Sequence, residues 1–310
     1  MSEAARPSSP VSPEGRDELI TLSFADMQAG RYGQARLRFG PERGRVQTTV
    51  AVFARAQTLA VVQSGTPHPG TDPAANGPLR LCEMPDGTWS ADFDGGADGQ
   101  GAFALRVSPA GSTLDAPAGD GVSGGPHAGE QQLARVHGQL TVSGRPGAIA
   151  GVGQVGRSRI GRPPGAASVE RELDAWLADD MAICVRAVRP LGVREHAGET
   201  VTAVMQEGSP ARLLALDETR LSTTYDAQGH QRRASLEMWP QADSDYPRRA
   251  AAQAICGASI LLEGPDAVAT RWDCAFMAWQ MEGRSGVGPY SILRRPSASD
   301  TQRTRSRQPR

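Results

Sequence analysis

The sequence contains no lysine; all 33 of its basic residues are arginine. That excludes catalysis through a lysine Schiff base or a P-loop lysine. Neither sign of charge is in excess. The formal net charge of −1 implies neither a nucleic-acid partner nor an anionic membrane surface. No run approaches the roughly 18 apolar residues of a membrane-spanning helix, so no stable membrane insertion is expected. The N-terminal "MSEAARPSSPVSPEGRDE" has no apolar stretch of the kind a secretory leader needs. Cysteine is scarce: Cys82, Cys184, Cys256 and Cys274. No two stand at Cys-x-x-Cys spacing, which excludes the common metal and redox pairs. They lie largely in apolar runs such as "MAICVRAV" and "QAICGASILL", and read as buried, reduced thiols of a cytoplasmic protein. The five histidines (68, 127, 137, 196 and 230) do not pair at metal-ligand spacing. No metal site and no cofactor are expected. A Gly-x-Ser-x-Gly elbow is also missing, which argues against an α/β-hydrolase.

What is present is period two. "ARLRF", "RVQTTVAVFA", "TLAVVQ", "AICVRAV", "TVTAVMQ", "RRASLEMW" and "WDCAFMAWQME" are short β-type runs divided by Gly, Pro or polar turns. Only 169–180 has a helical composition, and "LDAWLADDMAICVRA" reads equally well as strand, Asp-Asp turn, strand. The pattern predicts an all-β protein with little helix, a sandwich or barrel rather than a parallel βαβ sheet. The Pro/Gly-rich "GRPPGAAS" at 161–168 divides the chain. One β unit is expected over 18–162 and another over 168–295. Residues 1–17 and the basic tail 296–310 are expected to be disordered, and 108–130 a flexible insertion.

"GVGQVG" at 151–156 matches the dinucleotide fingerprint in letters only. That fingerprint needs a helix directly after its glycines, and Pro163-Pro164 forbids one. Glycines in a strand mark close backbone approach or a bulge. "LSTTYDAQGHQRRASLEMW" (221–239) reads as a hairpin. Asp226 and Gly229 are the capping and left-handed residues of its turn, and an Asp226–His230 acid–base pair is the alternative. In "RWDCAFMAWQMEGR", alternation puts Asp273, Ala275, Met277, Trp279 and Met281 on one face. Trp272, Cys274, Phe276 and Ala278 fall on the other. If the first face points inward, Asp273 is a desolvated acid able to donate a proton. The plainer reading has it near the strand start, exposed or paired to an arginine. "REHAGETV" brings Glu195, His196 and Glu199 to a strand end, where a charged turn is the plainer reading.

Several of these segments resemble a bacterial family related to carotenoid 1,2-hydratase (hydroxyneurosporene synthase) and tocopherol cyclase-like proteins, which are built from two lipocalin-like β-barrels. The segments are "FADMQAGRYGQARLRFGPERGRVQTTVAVF", "GVGQVGRSRIG", "LSTTYDAQGHQRRASLEMW", "CGASILL" and "CAFMAWQMEGRSGVGPYSILRR". One departure matters. After Arg157-Ser158 the family pattern has Trp-Gly, whereas this chain has Arg159-Ile160-Gly161.

The resemblance implies two consecutive lipocalin-like units and a β-barrel cavity for a hydrophobic small molecule of isoprenoid, lipid or polyketide type. It also implies cofactor-free, acid-assisted hydration or cyclisation. A non-catalytic carrier of the same fold is the alternative, and the lost Trp-Gly favours it. On this reading Asp273, His196 and Glu282 form the catalytic set. Arg157, Tyr225, Trp239, Trp272, Trp279 and Tyr290 contact the ligand, the tryptophans offering π faces to a developing carbocation.

Overall fold

The structure, a computed structural model, describes residues 17–40, 45–54, 57–65, 77–95, 101–115, 127–160, 167–178, 181–193, 198–208, 211–241, 244–263 and 269–295. Among these it holds eighteen strands and no α-helix. The first nine are β1 (Asp17–Asp26), β2 (Arg31–Gly40), β3 (Arg45–Ala54), β4 (Gln57–Gly65), β5 (Leu79–Glu83), β6 (Trp89–Asp94), β7 (Gly101–Asp115), β8 (His127–Val142) and β9 (Arg145–Ile160). The second nine are β10 (Ala167–Ala178), β11 (Met181–Pro190), β12 (Thr200–Glu207), β13 (Arg212–Ala215), β14 (Glu218–Tyr225), β15 (Gln231–Trp239), β16 (Arg248–Glu263), β17 (Ala269–Met281) and β18 (Arg284–Arg294). They form two nine-stranded antiparallel sheets, ordered β4-β3-β2-β1-β9-β8-β7-β6-β5 and β13-β12-β11-β10-β18-β17-β16-β15-β14. The second order repeats the first, strand for strand. Each sheet curls into a half-barrel, so the all-β architecture of two lipocalin-like units is observed. The helical alternative for 169–180 gives way to β10. Residues 108–115 and 127–130, expected within a loop, continue β7 and β8: β7 pairs with β8 on either side of a bulge between Pro109 and Thr113, and 127–129 pair with β9. Residues 116–126 of that insertion, and both tails, lie outside the described residues.

The duplication shows in the chain at one place. The β8–β9 and β17–β18 hairpins turn on Ser143-Gly144 and Glu282-Gly283, with φ of 50° and 71° and of 50° and 77°. Two left-handed residues make the tight turn that matches strand twist. Each turn is followed by Arg-x-Gly, as Arg145-Pro146-Gly147 and Arg284-Ser285-Gly286.

Period two decides where side chains go, and the central strands use both faces. On β3, Val50 and Val52 enter the core of the first unit. Ala51 and Phe53 between them enter a separate core shared with the second unit. On β17, Ala275, Met277, Trp279 and Met281 fill the second unit, while Trp272, Cys274 and Phe276 join the shared core. Continuous apolar runs such as "VAVF" and "MAICV" are therefore strands buried on both faces, and outer strands such as β6 alternate. The shared core stacks Phe276 against Tyr32 at 5.3 Å and against Phe53 at 6.3 Å between ring centroids.

The glycines of "GVGQVG" serve strand packing. A Cβ on Gly151 would lie 2.1 Å from the Ala25 carbonyl oxygen, and one on Gly153 would lie 2.6 Å from that of Ser23. Both obstacles are backbone, so β9 sits against β1 only because the side chains are missing. Gly151→Ala is expected to destabilise the fold by about 1–3 kcal/mol, read as a lowered melting temperature. An unchanged melting temperature would remove the close-approach role.

Candidate functional site

Asp273 lies at one end of the second half-barrel on the inward face, with none of its side chain exposed. It is not in an apolar pocket. Arg271 Nε and Arg294 Nη1 each donate to its carboxylate at 2.6 Å, and the Ser259 hydroxyl donates as well. The same two guanidinium groups reach the β14–β15 turn: Arg271 Nη2 donates to the Gln228 carbonyl at 3.1 Å and Arg294 Nη1 to that of Gly229 at 3.2 Å. Asp226 caps this turn, accepting the backbone amides of Gln228 and His230, and these bonds hold its carboxyl below the usual range. Asp273 thus anchors two arginines that clamp the hairpin across the barrel end. The Arg294 guanidinium also lies 5.0 Å from the Tyr225 ring centroid. Deeper in, the Tyr290 hydroxyl meets Thr223 Oγ1 at 2.6 Å and hydrogen-bonds Arg171, which pairs with Glu199 at 3.2 Å. Burial pushes the Tyr290 phenol up to about 12. In the first unit, Ala134, Gln132 and Val155 occupy the places of Asp273, Arg271 and Arg294 in the repeated hairpin. Among the described residues the charged plug belongs to the second unit.

A different carboxyl group faces the boundary between the units. On β10, Leu173, Ala175 and Leu177 enter the second core, so Glu172, Asp174 and Trp176 point at the first unit. They meet the outward face of β1, β2 and β9, where Gln34, Ser23 and Gln154 form one row across the sheet. Thr21, Ser23, Gln34, Gln154, Asp174 and Ser291 line a cleft of ≈ 40 Å³. Two glutamines latch the units here. Gln34 accepts from the Ser291 hydroxyl at 2.8 Å and donates to the Ala275 carbonyl at 3.3 Å. Gln154 accepts from Trp176 Nε1 at 3.3 Å. Asp174 is half-buried and lines the cleft. Burial raises its pKa to about 7, opposed by hydrogen bonds from Cys184 and Gln154. Glu172 adds to the rise and is itself held by Arg186 at 2.7 Å. A carboxylic acid that keeps its proton to about neutrality is matched to general acid catalysis.

Two larger spaces carry less chemistry. A groove of ≈ 500 Å³ on the outside of the second sheet is open and lined by Arg220, Ser222, Ser235, Arg249 and Gln280 among others. A gap of ≈ 160 Å³ where β15 parts from β16 is bordered by His230, Cys256 and Gly257.

Of the residues expected at a site, Asp273, Tyr225 and Tyr290 come together at the barrel end. Trp279 is buried farther along the same inward face. Trp272 is on the opposite face, in the shared core, with the Arg36 guanidinium 5.4 Å from its ring centroid. Trp239 stacks under Arg220 at 4.8 Å on the outside. Arg157 is paired with Glu18 in the first unit. Glu282 sits on the exposed β17–β18 turn, ion-paired to Arg248. His196 lies outside the described residues. Asp174 and Gln154 were missed as site residues. The signal for Asp174 was the one that singled out Asp273: a carboxylate sharing a strand face with a tryptophan.

No protein-family profile and no curated relative matches the sequence. Solved structures do match in fold. A crystal structure assigned to AttH from Nitrosomonas europaea has a TM-score of 0.68 at 12% identity, covering 94% of this chain and 99% of that one. CghA with Sch210972 gives 0.64 at 12%, covering 95% and 96%. Kievitone hydratase from Nectria haematococca gives 0.60 at 12%, covering 90% and 89%. The likeness spans both units and establishes the fold.

Two outcomes follow from these environments. Asp273→Ala leaves two arginines unpaired at the barrel end and should cost about 3–5 kcal/mol of stability, measured by chemical denaturation; a loss within error would end the anchoring role. Asp174 behaves oppositely. Its native pKa lies above its unfolded value, so its proton stabilises the fold at low pH, and that contribution is lost as pH rises from about 4 to about 7. Asp174→Asn should therefore melt higher than the parent at pH 8, by up to roughly 4 kcal/mol at the ceiling set by the shift, with the advantage gone near pH 4. A pH-independent difference would contradict the raised pKa.

Proposed function

We propose that the protein takes a hydrophobic small molecule bearing an oxygen function at the boundary between its units and protonates it from Asp174. The reaction is a cofactor-free hydration or cyclisation. The observation that carries this reading is the Asp174 carboxyl, poised near neutrality in a cleft walled by amides and hydroxyls. A general acid must hold its proton at working pH and lose it readily to substrate. In hydration, the Asp174 proton passes to an alkene carbon, a water oxygen bonds to the cation that forms, and the proton released from that water restores the acid. In cyclisation an internal π bond or hydroxyl attacks instead. The Trp176 and Trp272 indoles lie in the adjoining shared core, where their π faces suit a cation.

The cleft's polar lining favours a neutral hydrogen-bonding group. An anion would meet Glu172 and Asp174, while Arg36, the guanidinium lining the cleft, lies 4.0 Å from Glu172. A bound ligand of ordinary size needs about 300 Å³ or more, so the units part at the cleft on binding. Among the fold's neighbours, one is a hydratase and another was crystallised with Sch210972, which supports small-molecule chemistry on this architecture. Four free cysteines, two of them buried, fit a reducing cytoplasm. The carrier reading keeps one specific support, the Arg159-Ile160 departure from the family pattern.

The test is to incubate the protein with an extract of its source organism and follow retained and altered compounds by mass spectrometry. Catalysis predicts an apolar metabolite that gains one water or isomerises, and about a 10²-fold or greater loss of that conversion in Asp174→Asn. Retention of an unchanged ligand, equal in both proteins, would leave a carrier. No retained apolar compound would end the binding proposal.

A further inference from the structure

We infer that Thr21 and Gln131, drawn together over the bare backbone of Gly156, hold a water molecule on the first unit's wall of the cleft, and that this water is the oxygen source of the hydration. The inference rests on the reading of Asp174 as the acid. The strand register builds the subsite. Thr21 on β1 and Gln131 on β8 both pair with Gly156 on β9, the last glycine of "GVGQVG", so the three form one row across the sheet. Strands two apart in a sheet are separated by about 9–10 Å, and a side chain on the strand between them would keep Thr21 and Gln131 separate. Gly156 has none. A Cβ there would lie 2.8 Å from Thr21 Oγ1 and 3.3 Å from Gln131 Cγ. Both obstacles are side chains that lean over the glycine, whereas Gly151 is closed in by backbone. In the next row Ser23 on β1 pairs with Gln154 on β9, which brings a second hydroxyl to the same cleft.

Hydrogen-bond accounting leaves these groups with capacity to spare. An indole N–H can only donate, so Trp176 Nε1 turns Gln154 Oε1 toward itself, at 3.3 Å. The two amide hydrogens of Gln154 are then taken by Gln131 Oε1 at 2.8 Å and Cys184 Sγ at 3.6 Å. Gln131 therefore points its oxygen at Gln154 and keeps its NH₂ group to donate. The Ser291 hydroxyl is given to Gln34. Among the described residues the Thr21 and Ser23 hydroxyls have no protein partner. The wall thus offers two hydroxyls and an amide donor without charge, which suits water, a molecule that needs about two to four such partners. The cleft's ≈ 40 Å³ exceeds the roughly 10–15 Å³ that a water needs and falls far short of an organic ligand. Arg36, next to Thr21 in the row, is turned to Glu172 at 4.0 Å and to the Trp272 ring. Because Thr21, Gly156 and Gln131 belong to one sheet, the subsite stays assembled when the units part for a ligand. In the reaction the water oxygen bonds to the cation left by proton transfer from Asp174, and the proton released from that water returns to the Asp174 carboxylate.

The first test is a high-resolution crystal structure of the full chain. A water oxygen is expected within about 3.2 Å of both Thr21 Oγ1 and Gln131 Nε2; no ordered water bonded to these two groups would overturn the subsite. Thr21→Val keeps the shape of the side chain and removes its hydroxyl, and should lose that water with little change in melting temperature. Gly156→Ala should lose it too, by pushing Thr21 and Gln131 apart. Water kept in a folded Gly156→Ala protein would remove the role of the glycine; if that variant does not fold, Thr21→Val alone decides the subsite. The water's role as nucleophile is read in the extract assay. Thr21→Val should lower the conversion that gains one water by about tenfold, the worth of one hydrogen bond, with retention of the unreacted compound unchanged, and Thr21→Ser should restore it. Full conversion by a Thr21→Val protein that has lost the water would overturn that role. The crystallographic water does not depend on turnover, so a protein that holds water at Thr21 and converts nothing marks a failure of the catalytic reading and not of the subsite.

Discussion

The face-to-face packing of two sheets through alternate residues of the same strands is the constraint on which the molecule depends. Each central strand serves two cores at once. Val50 and Val52 fill one unit while Ala51 and Phe53 between them meet the other. On β17, Trp279 fills the second unit and Trp272, on the opposite face, faces the first. A one-residue slip in register would exchange these sets and place large aromatic side chains where small ones fit. Fully buried aromatic residues are few, and Phe53, Phe276 and Trp272 gather in the shared core. The units are accordingly held by packing, with Gln34 and Gln154 as polar latches beside it.

The same constraint creates the site. A sheet that buries both faces leaves its boundary strands no solvated side for polar groups. Whatever polar residue falls on the outward face of β1, β9 or β10 must find a partner in the opposing unit or on a neighbouring strand. Gln34 finds Ser291 and the Ala275 carbonyl; Gln154 finds Trp176, Gln131 and Cys184. Asp174 is the member whose charge burial penalises most, and its raised pKa follows from that enclosure. The duplicated topology supplies two equivalent faces, and the side chains on them have diverged. The first unit offers amides, hydroxyls and the Arg36 guanidinium, and the second offers carboxyls and the Ser291 hydroxyl. At the far end of the second half-barrel a different solution is used. There Asp273 is buried more deeply but meets two guanidinium groups, and it fastens a hairpin.

Much of this was legible in the chain. The all-β class followed from period two and from Gly/Pro punctuation. The two faces of β17 followed from alternation, residue by residue. The Asp226–Gly229 turn followed from turn chemistry, and the structural use of "GVGQVG" from the prolines after it. What was not legible is instructive. Residues 108–115 and 127–130 have loop-like composition and still form strands, because β7 pairs with β8 on either side of a bulge and β8 pairs with β9 beyond it. Asp273 was marked by its apolar neighbours on the strand, but the group that decides its character, Arg294, arrives from the next strand. Asp174 lay in a segment that read as helix or strand, and its environment comes from the other unit.

The sequence by itself determined what its own spacing encodes: strand type, which residues share a face, where the chain turns, and that no lysine chemistry is available. These depend on covalent geometry and on contacts a few residues apart. Only the tertiary structure decided which of two carboxyls is ion-paired and which is raised toward neutrality by burial. That difference lies in the partners each carboxyl meets. Asp273 meets a guanidinium 21 residues along the chain. Asp174 faces the amides of a separate sheet, across a cleft that exists only once the two half-barrels have closed on each other.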